Sequence, residues 1–196
     1  YRRSIEDPEA FWAEQAGAID WIRPFETVKD VSFDKADLHI RWFEDGQLNA
    51  SANCIDRHLQ SDGDRIALLW EPDDPAEAER RISYRDLHGE VCRLANGLKS
   101  LGVSKGDGVG IIANNRNEWA IAAYATYGLG ARYIPMYEAE LPRIMKYIIE
   151  DSGVKVLLVS RNDILEKVKD FPNEIEGLEK IYVIESEEKL NSRIGG

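Results

Sequence analysis

Gly108-Val109-Gly110-Ile111-Ile112-Ala113 spells G-x-G-x-x-A, the spacing by which a glycine-rich turn lets a pyrophosphate approach the backbone. That chemistry needs the glycines in the turn after a strand, with a helix N-terminus aimed at the phosphates. Here residues 109–113 form a continuous apolar run that reads as the strand itself, so the match carries no phosphate site. No GxxxxGK[ST] loop occurs in the sequence, and Lys105 in GVSKGDG stands alone. His88 and Cys92 share a helix face at i, i+4, the spacing of two metal ligands. No third ligand is spaced to join them, so a surface or packing role is expected. His39 and His58 have no nucleophile or carboxylate that the sequence can place beside them. Ser51, Ser83 and Ser160 lack the strand–turn–helix context of a nucleophile elbow. Glu138 and Glu140 follow a strand end, where sites in parallel sheets gather; two loop carboxylates are more simply solvated.

The elements that would position these residues are legible from periodicity. Asp7-Pro8 starts a short helix carrying Phe11, Trp12, Gln15 and Ile19. Trp21, Phe25, Val28, Phe33, Trp42 and Phe43 follow without a steady period, as in an irregular segment pinned to a surface by large side chains. Residues 53–59 read as a helix and residues 66–70 as a strand, with a solvated acidic loop to Arg80. Ser83 caps the clearest helix, whose stripe is Tyr84, Leu87, Val91, Leu94, Ala95 and Leu98; Gly102 closes it in a left-handed conformation. Strands at 109–113, 132–135, 155–159 and 180–184 then alternate with helices at 117–127, 141–150 and 162–169. That is the pattern of a parallel sheet wrapped by helices.

A formal charge of −11 argues against a nucleic-acid binder, which needs a basic surface to displace counterions. Cys54 and Cys92 lie far apart with no CxxC, which fits a reducing compartment and supplies no zinc motif. No apolar run has the length to cross a bilayer, and YRRSIEDPEAFW is no secretory signal. A cytoplasmic location is expected. The start on Tyr1 and the finish at Arg193-Ile194-Gly195-Gly196, with no element to close it, read as a piece of a longer protein.

Several uncommon words now gain weight. Asp7-Pro8-Glu9-Ala10-Phe11-Trp12, Asp20-Trp21-Ile22, Trp42-Phe43-Glu44-Asp45-Gly46, Asn53 to Leu59 (NCIDRHL) and Ile82-Ser83-Tyr84-Arg85-Asp86-Leu87 occur in one order. Residues 1 to about 107 thereby resemble the N-terminal region of acetyl-CoA synthetases (acetate–CoA ligases). Leu101 to Asp107, LGVSKGD, is similar to a segment shared across the adenylate-forming superfamily. Beyond it, Ile111 to Trp119 (IIANNRNEW) and Tyr133 to Glu138 (YIPMYE) resemble long-chain fatty acid–CoA ligases more than the acetate enzymes, which have a Phe-Gly-Gly-Phe segment near residues 136–139. The chain looks like a hybrid of two branches joined at a shared motif.

The resemblance implies AMP-forming ligation: a carboxylic acid and ATP give an acyl-adenylate and diphosphate, and coenzyme A takes the acyl group, with Mg²⁺ and a lysine offsetting phosphate charge. The family's phosphate loop, ribose-binding Asp, hinge and C-terminal lysine are not encoded in these 196 residues, so the chain alone is expected to be catalytically incomplete and to bind no cofactor tightly. Where the acetate enzymes place arginines for the coenzyme A 3′-phosphate, this chain has Ile164 to Lys169, offering Lys167 and Lys169 as point charges without bidentate geometry. The expected fold is α/β, a largely parallel sheet forming an incomplete N-terminal lobe. An N-terminal wrap over residues 1–60 precedes a partial AMP-dependent ligase domain over residues 61–196. An unpaired sheet edge would favour self-association. The competing reading is a non-catalytic module that binds a nucleotide or a partner through its strand ends. A nicotinamide-dependent oxidoreductase has only the misplaced glycines in its favour.

Overall fold

The computed structural model describes residues 1–185; the chain end at residues 193–196, expected to lack a closing element, lies outside them. The chain divides into two compact units, Tyr1–Cys54 and a larger one from Ile55 onward.

In the first unit, α1 (Arg2–Glu6) precedes α2 (Pro8–Ala16). The Asp7 side chain accepts from the Ala10 amide at 3.2 Å and Pro8 occupies the first turn, as the sequence indicates. Ile19 falls beyond the helix end. The stretch read as irregular contains a hairpin: β1 (Lys29–Asp34) pairs antiparallel with β2 (Asp37–Trp42). Its period was masked because the apolar face, Val31, Phe33, Leu38 and Ile40, is built from both strands, four residues that alternate only once the turn at Lys35-Ala36 is known. Asp34 Oδ1 accepts from the Ala36 amide at 2.9 Å and tightens that turn. Aromatic contacts do most of the remaining work. Trp21, Phe25 and Phe43 pack with centroids 4.7–5.7 Å apart, and an added Cβ on Gly46 would lie 2.5 Å from the Trp21 ring. α3 (Ala50–Cys54) ends the unit.

The helix expected over residues 53–59 is broken. Ile55, with φ −126° and ψ −63°, separates α3 from a 3₁₀ turn at Asp56–His58, which runs into α4 (Leu59–Asp62). Ile55 itself is 1% exposed and joins the core of the second unit, so burial overrides helical continuity.

β3 (Ile66–Trp70) and β4 (Arg80–Ser83) form an antiparallel pair across the acidic loop. α5 (Tyr84–Ser100) follows, capped by Ser83, whose Oγ accepts from the Asp86 amide. Then come β5 (Gly108–Ile112), α6 (Asn117–Gly128), β6 (Arg132–Met136), α7 (Pro142–Ser152), β7 (Val154–Val159), α8 (Asn162–Val168), a short α9 (Phe171–Glu174) and β8 (Lys180–Val183). The four later strands make one parallel sheet in the order β6-β5-β7-β8. Pro135, which cannot donate to a ladder, is accommodated because β6 is an edge among the described residues. One face of the sheet is covered by α5 and α6 through Leu87, Val91, Leu98, Ile121 and Ala125 against Val109, Ile111, Val156 and Leu158. The other is covered by α7 to α9 through Met145, Ile149, Ile164, Val168 and Phe171. Every residue of β5 is buried, as its unbroken apolar run requires.

Gly108 and Gly110 lie within β5, and their lack of side chains serves packing. A Cβ on Gly108 would meet the Gly153 carbonyl oxygen at 2.5 Å, and one on Gly110 would meet Leu157 Cδ1 at 2.9 Å. The LGVSKGD segment is likewise a structural corner. The Asp107 carboxylate accepts from the Ser104 amide (2.8 Å) and hydroxyl (3.0 Å), and Lys155 Nζ reaches the Gly102 carbonyl at 2.8 Å. The two hydrogen bonds from Ser104, the amide first, hold Asp107 below the usual carboxylate range.

Candidate functional site at the carboxyl ends of the strands

In an open parallel sheet, ligands sit beyond the carboxyl ends of the strands, at the point where the connections diverge. Here β5 sends its connection to β6 on one side, while β7 lies on the other. The segments leaving these strands are Asn114-Asn115-Arg116-Asn117 after β5, Tyr137-Glu138 after β6 and Ser160-Arg161 after β7.

Glu138 ties them together. Its side chain is 13% exposed; Oε1 accepts from the Asn114 amide at 3.0 Å and Oε2 pairs with Arg161 Nη1 at 2.6 Å. Lys167 Nζ, on α8, donates to the Glu138 carbonyl at 3.1 Å. One residue thus links β5, β6, β7 and α8. Glu140 has a backbone role here, its amide donating to the Tyr137 carbonyl.

Beside this knot lies a polar cleft of 240 Å³ lined by Trp70, Arg80, Asn114 to Glu118, Arg161 and Glu185. Trp70 Nε1 donates to the Asn115 carbonyl at 3.0 Å, and the Arg80 guanidinium stacks over the Trp70 ring at 5.0 Å. Arg116, 13% exposed, pairs with Glu118 at 2.9 Å and Glu185 at 2.8 Å. Burial pulls the Arg116 value down, and the hydrogen bonds it donates to Glu118 and Glu185 outweigh it, so the guanidinium stays charged. Glu118 is the mirror case: burial pushes it up, and the Arg116 hydrogen bond carries it below the ordinary carboxylate range. Arg161 pairs with both Glu138 and Asp163. Ser160, fully buried at the end of β7, has a hydroxyl with no hydrogen-bond partner among the described residues.

The cleft's chemistry follows from this pairing. Arg116 and Arg161 are each held by two carboxylates, while Arg80, in the same lining, lies over the Trp70 ring with no ion pair among the described residues. No reaction step is assigned to the described residues of this cleft.

The other sequence candidates are dispersed. Lys169, past the end of α8, pairs with Glu166 at 2.7 Å. Lys105 packs its stem toward Gly130. His39 bridges Asp30 and Asp37 on the hairpin, two carboxylates that the sequence could not place beside it. His58 stacks on Tyr84 with centroids 5.0 Å apart. Ser83 is a cap, and Ser51 is buried on α3. His88 and Cys92 do come together, and no group of three or more His, Cys, Asp or Glu able to hold a metal occurs among the described residues. Sequence reasoning missed Asn114, Arg116 and Arg161. The available signal was position: a run of Asn and Arg directly after a fully buried strand, and an Arg directly after another.

A second recess differs in kind. An apolar groove of 470 Å³ runs between α5 and β8, lined by Leu94, Gly97, Leu98, Leu101, Tyr182 and Ile184 among others. No helix among the described residues is long and apolar enough to cross a membrane.

Known proteins are similar to this chain in sequence and fold. Residues 1–54 match the family model described as acetyl-coenzyme A synthetase N-terminus, and residues 55–194 match that described as AMP-binding enzyme. The acetyl-coenzyme A synthetase of Novosphingobium aromaticivorans is 51% identical over 160 residues, covering 82% of this chain and 25% of the relative. That of Vibrio cholerae is 46% identical over the same length, covering 82% and 24%. The chain thus spans about a quarter of the length of the curated relatives it matches. Among solved structures, the anthranilate CoA ligase AuaEII in complex with anthranoyl-AMP superposes with a TM-score of 0.60 at 26% identity, over 68% of this chain and 24% of that one. The parallel sheet, its fully buried β5 and the match over residues 55–194 converge: this chain belongs to the AMP-binding enzyme family, within the superfamily of AMP-forming acyl-CoA and acetate–CoA ligases.

Proposed function

We propose that this chain is the N-terminal portion of an AMP-forming acyl-CoA synthetase of the acetate–CoA ligase type, converting ATP, a carboxylic acid and coenzyme A into acyl-CoA, AMP and diphosphate. The observation that carries this reading is the succession, along one polypeptide, of an acetyl-coenzyme A synthetase N-terminal segment and an AMP-binding segment that abut at residues 54 and 55. ATP, coenzyme A and Mg²⁺ belong to the whole enzyme in this proposal, and phosphate chemistry is assigned to residues beyond 196. The paired-off guanidinia at the strand ends support that division of labour.

The proposal has finer parts. The chain comprises a wrap over residues 1–60 and a partial ligase domain over residues 61–196. Residues from about 108 onward follow the long-chain fatty acid–CoA ligase pattern, which makes fatty acids substrate candidates alongside acetate. Lys167 and Lys169 are the proposed contacts for the coenzyme A phosphate, as point charges on a helix end. The protein works in the cytoplasm. The edge of β8, unpaired among the described residues, and the apolar groove beside it favour self-association of the chain when it stands alone.

The test has two arms. Diphosphate release from ATP is measured for the 196-residue chain with Mg²⁺, coenzyme A and either acetate or palmitate; none above blank is expected. The parent transcript is then read beyond residue 196 and its product assayed in the same way. Turnover with acetate or palmitate is expected. Turnover by the short chain overturns the division of labour, and an inactive parent product with both acids overturns the ligase reading. Calorimetric titration of the short chain with ATP, AMP and coenzyme A addresses the competing reading, which requires tight, saturable binding.

A further inference from the structure

His88 and Cys92 lie one turn apart on α5, and the fold adds a third group that the sequence does not place there. Cys92 Sγ is 3.5 Å from His88 Nε2, and that nitrogen is 3.6 Å from Asp56 Oδ1. Asp56 belongs to the 3₁₀ turn after Ile55, on a separate element from α5. Its position is fixed from below. Ile55, just before Asp56, and Leu87, just before His88, are 1% and 2% exposed and share one core cluster. The core therefore holds carboxylate, imidazole and thiol in register while all three stay reachable: Cys92 is exposed, and the side chains of His88 and Asp56 are 34% and 50% accessible.

The arrangement has the parts of an activated nucleophile, a thiol within reach of an imidazole, with a carboxylate 3.6 Å from the same ring nitrogen. The protein carries its own comparison. Cys54, at the end of α3, is also a free, exposed thiol, and it has no hydrogen-bond partner among the described residues.

We propose that Cys92 is a modification site that takes low-molecular-weight disulfides, with His88 accepting the thiol proton and Asp56 facing the Nε2–H that results. The Cys92 proton passes to His88 Nε2, and the sulfur attacks one sulfur of the disulfide. A Cys92–S–S–R bond forms as the original S–S bond breaks. The departing thiolate then takes the proton back from His88, so one disulfide and one protein thiol become one mixed disulfide and one free small thiol. The inference does not rest on the ligase reading, because it uses no substrate or cofactor of that reaction.

The experiment uses the full chain as two single-cysteine variants, Cys54→Ser to report Cys92 and Cys92→Ser to report Cys54. Each is mixed with dithiobis(nitrobenzoate), an aromatic disulfide whose released thiolate is coloured, and then with glutathione disulfide followed by mass. At neutral pH Cys92 is expected to react about tenfold faster than Cys54. Adding His88→Gln in the Cys54→Ser background should bring Cys92 down to the Cys54 rate, and Asp56→Asn should bring it part of the way. The same two rates measured in concentrated urea should be equal, which ties the difference to the fold even where a variant loses stability. Equal rates for the two cysteines in the folded chain overturn the proposal, as does a fast Cys92 that survives His88→Gln with an unchanged melting curve.

Discussion

The two units of this chain are held together by different means. In residues 1–54 the only described residues classed as buried are Ala16 and Ser51, and large rings meet edge to face while remaining partly in solvent. From Ile55 onward the core is mostly aliphatic, and the central strands are covered on both faces. The contrast follows from the architecture. A two-stranded hairpin has only one face to offer a partner, whereas a parallel sheet between two helical layers must bury both. The second unit should therefore respond steeply to the loss of a methyl group and the first weakly.

The largest expected effect tests this directly. Leu157, fully buried on β7, packs in the cluster beneath α7 and α8. Leu157→Ala should destabilise the second unit by about 2–5 kcal/mol in urea denaturation. A loss under about 1 kcal/mol would mean that the site collapses and that the aliphatic core is looser than its burial suggests. The glycines of β5 come next. At Gly108 an added methyl meets backbone, the Gly153 carbonyl and Val154 Cα, whereas at Gly110 it meets the ends of the Leu157 and Val154 side chains. Gly108→Ala should cost more than Gly110→Ala, with the latter about 1–3 kcal/mol, because a side chain can yield and a neighbouring strand cannot. The reverse order would show β5 and the start of β7 to be less tightly coupled. Removing the cap with Ser83→Ala should cost about 0.5–2 kcal/mol. In the first unit, Phe33 is 76% exposed, and Phe33→Ser should change stability by less than about 0.5 kcal/mol. A larger loss would identify something covering the apolar hairpin face in solution.

The same contrast decides what the sequence reveals. β5, β7, α5 and α7 announce themselves, because burial on both faces, or on one stripe, prints a continuous run or a 3.6-residue period. The hairpin does not. Val31 and Phe33 face the same way as Leu38 and Ile40, but Asp30, Ser32, His39 and Arg41 between them are charged or polar enough to suggest a loop. The break at Ile55 was equally hidden, since only the three-dimensional core explains why a helix stops there. At the candidate site, Glu138 was legible as a residue after a strand. Its grip on Asn114 and Arg161 was not, because those contacts span 24 and 23 positions and depend on strand order.

The smallest effect concerns pH and separates the hairpin from everything else. His39 Nε2 lies 2.9 Å from Asp30 Oδ1, Nδ1 lies 3.2 Å from Asp37 Oδ1, and Arg41 also reaches Asp30 at 3.2 Å. The hydrogen bond to Asp30, ahead of the opposing burial, raises His39 above its ordinary value, and the same bond lowers Asp30. A raised histidine contributes stability that is complete below its ordinary value, about 6.5, and is lost as pH climbs through the folded value. A lowered aspartate contributes above its ordinary value, about 3.9, and loses that contribution as pH falls through the folded one. The brace is therefore fully present between about pH 4 and about pH 6.5 and weakens on either side. Since the carboxylates are half-exposed or more, solvent screens the pair and the effect is modest. Amide-exchange protection across the Val31–Ile40 pair should fall as pH rises past neutrality, after correction for intrinsic exchange, and His39→Gln should abolish that fall. Amides of β5 should show no such His39-dependent trend; if they do, the two units share one unfolding step and the contrast between them is one of packing style rather than of independent stability.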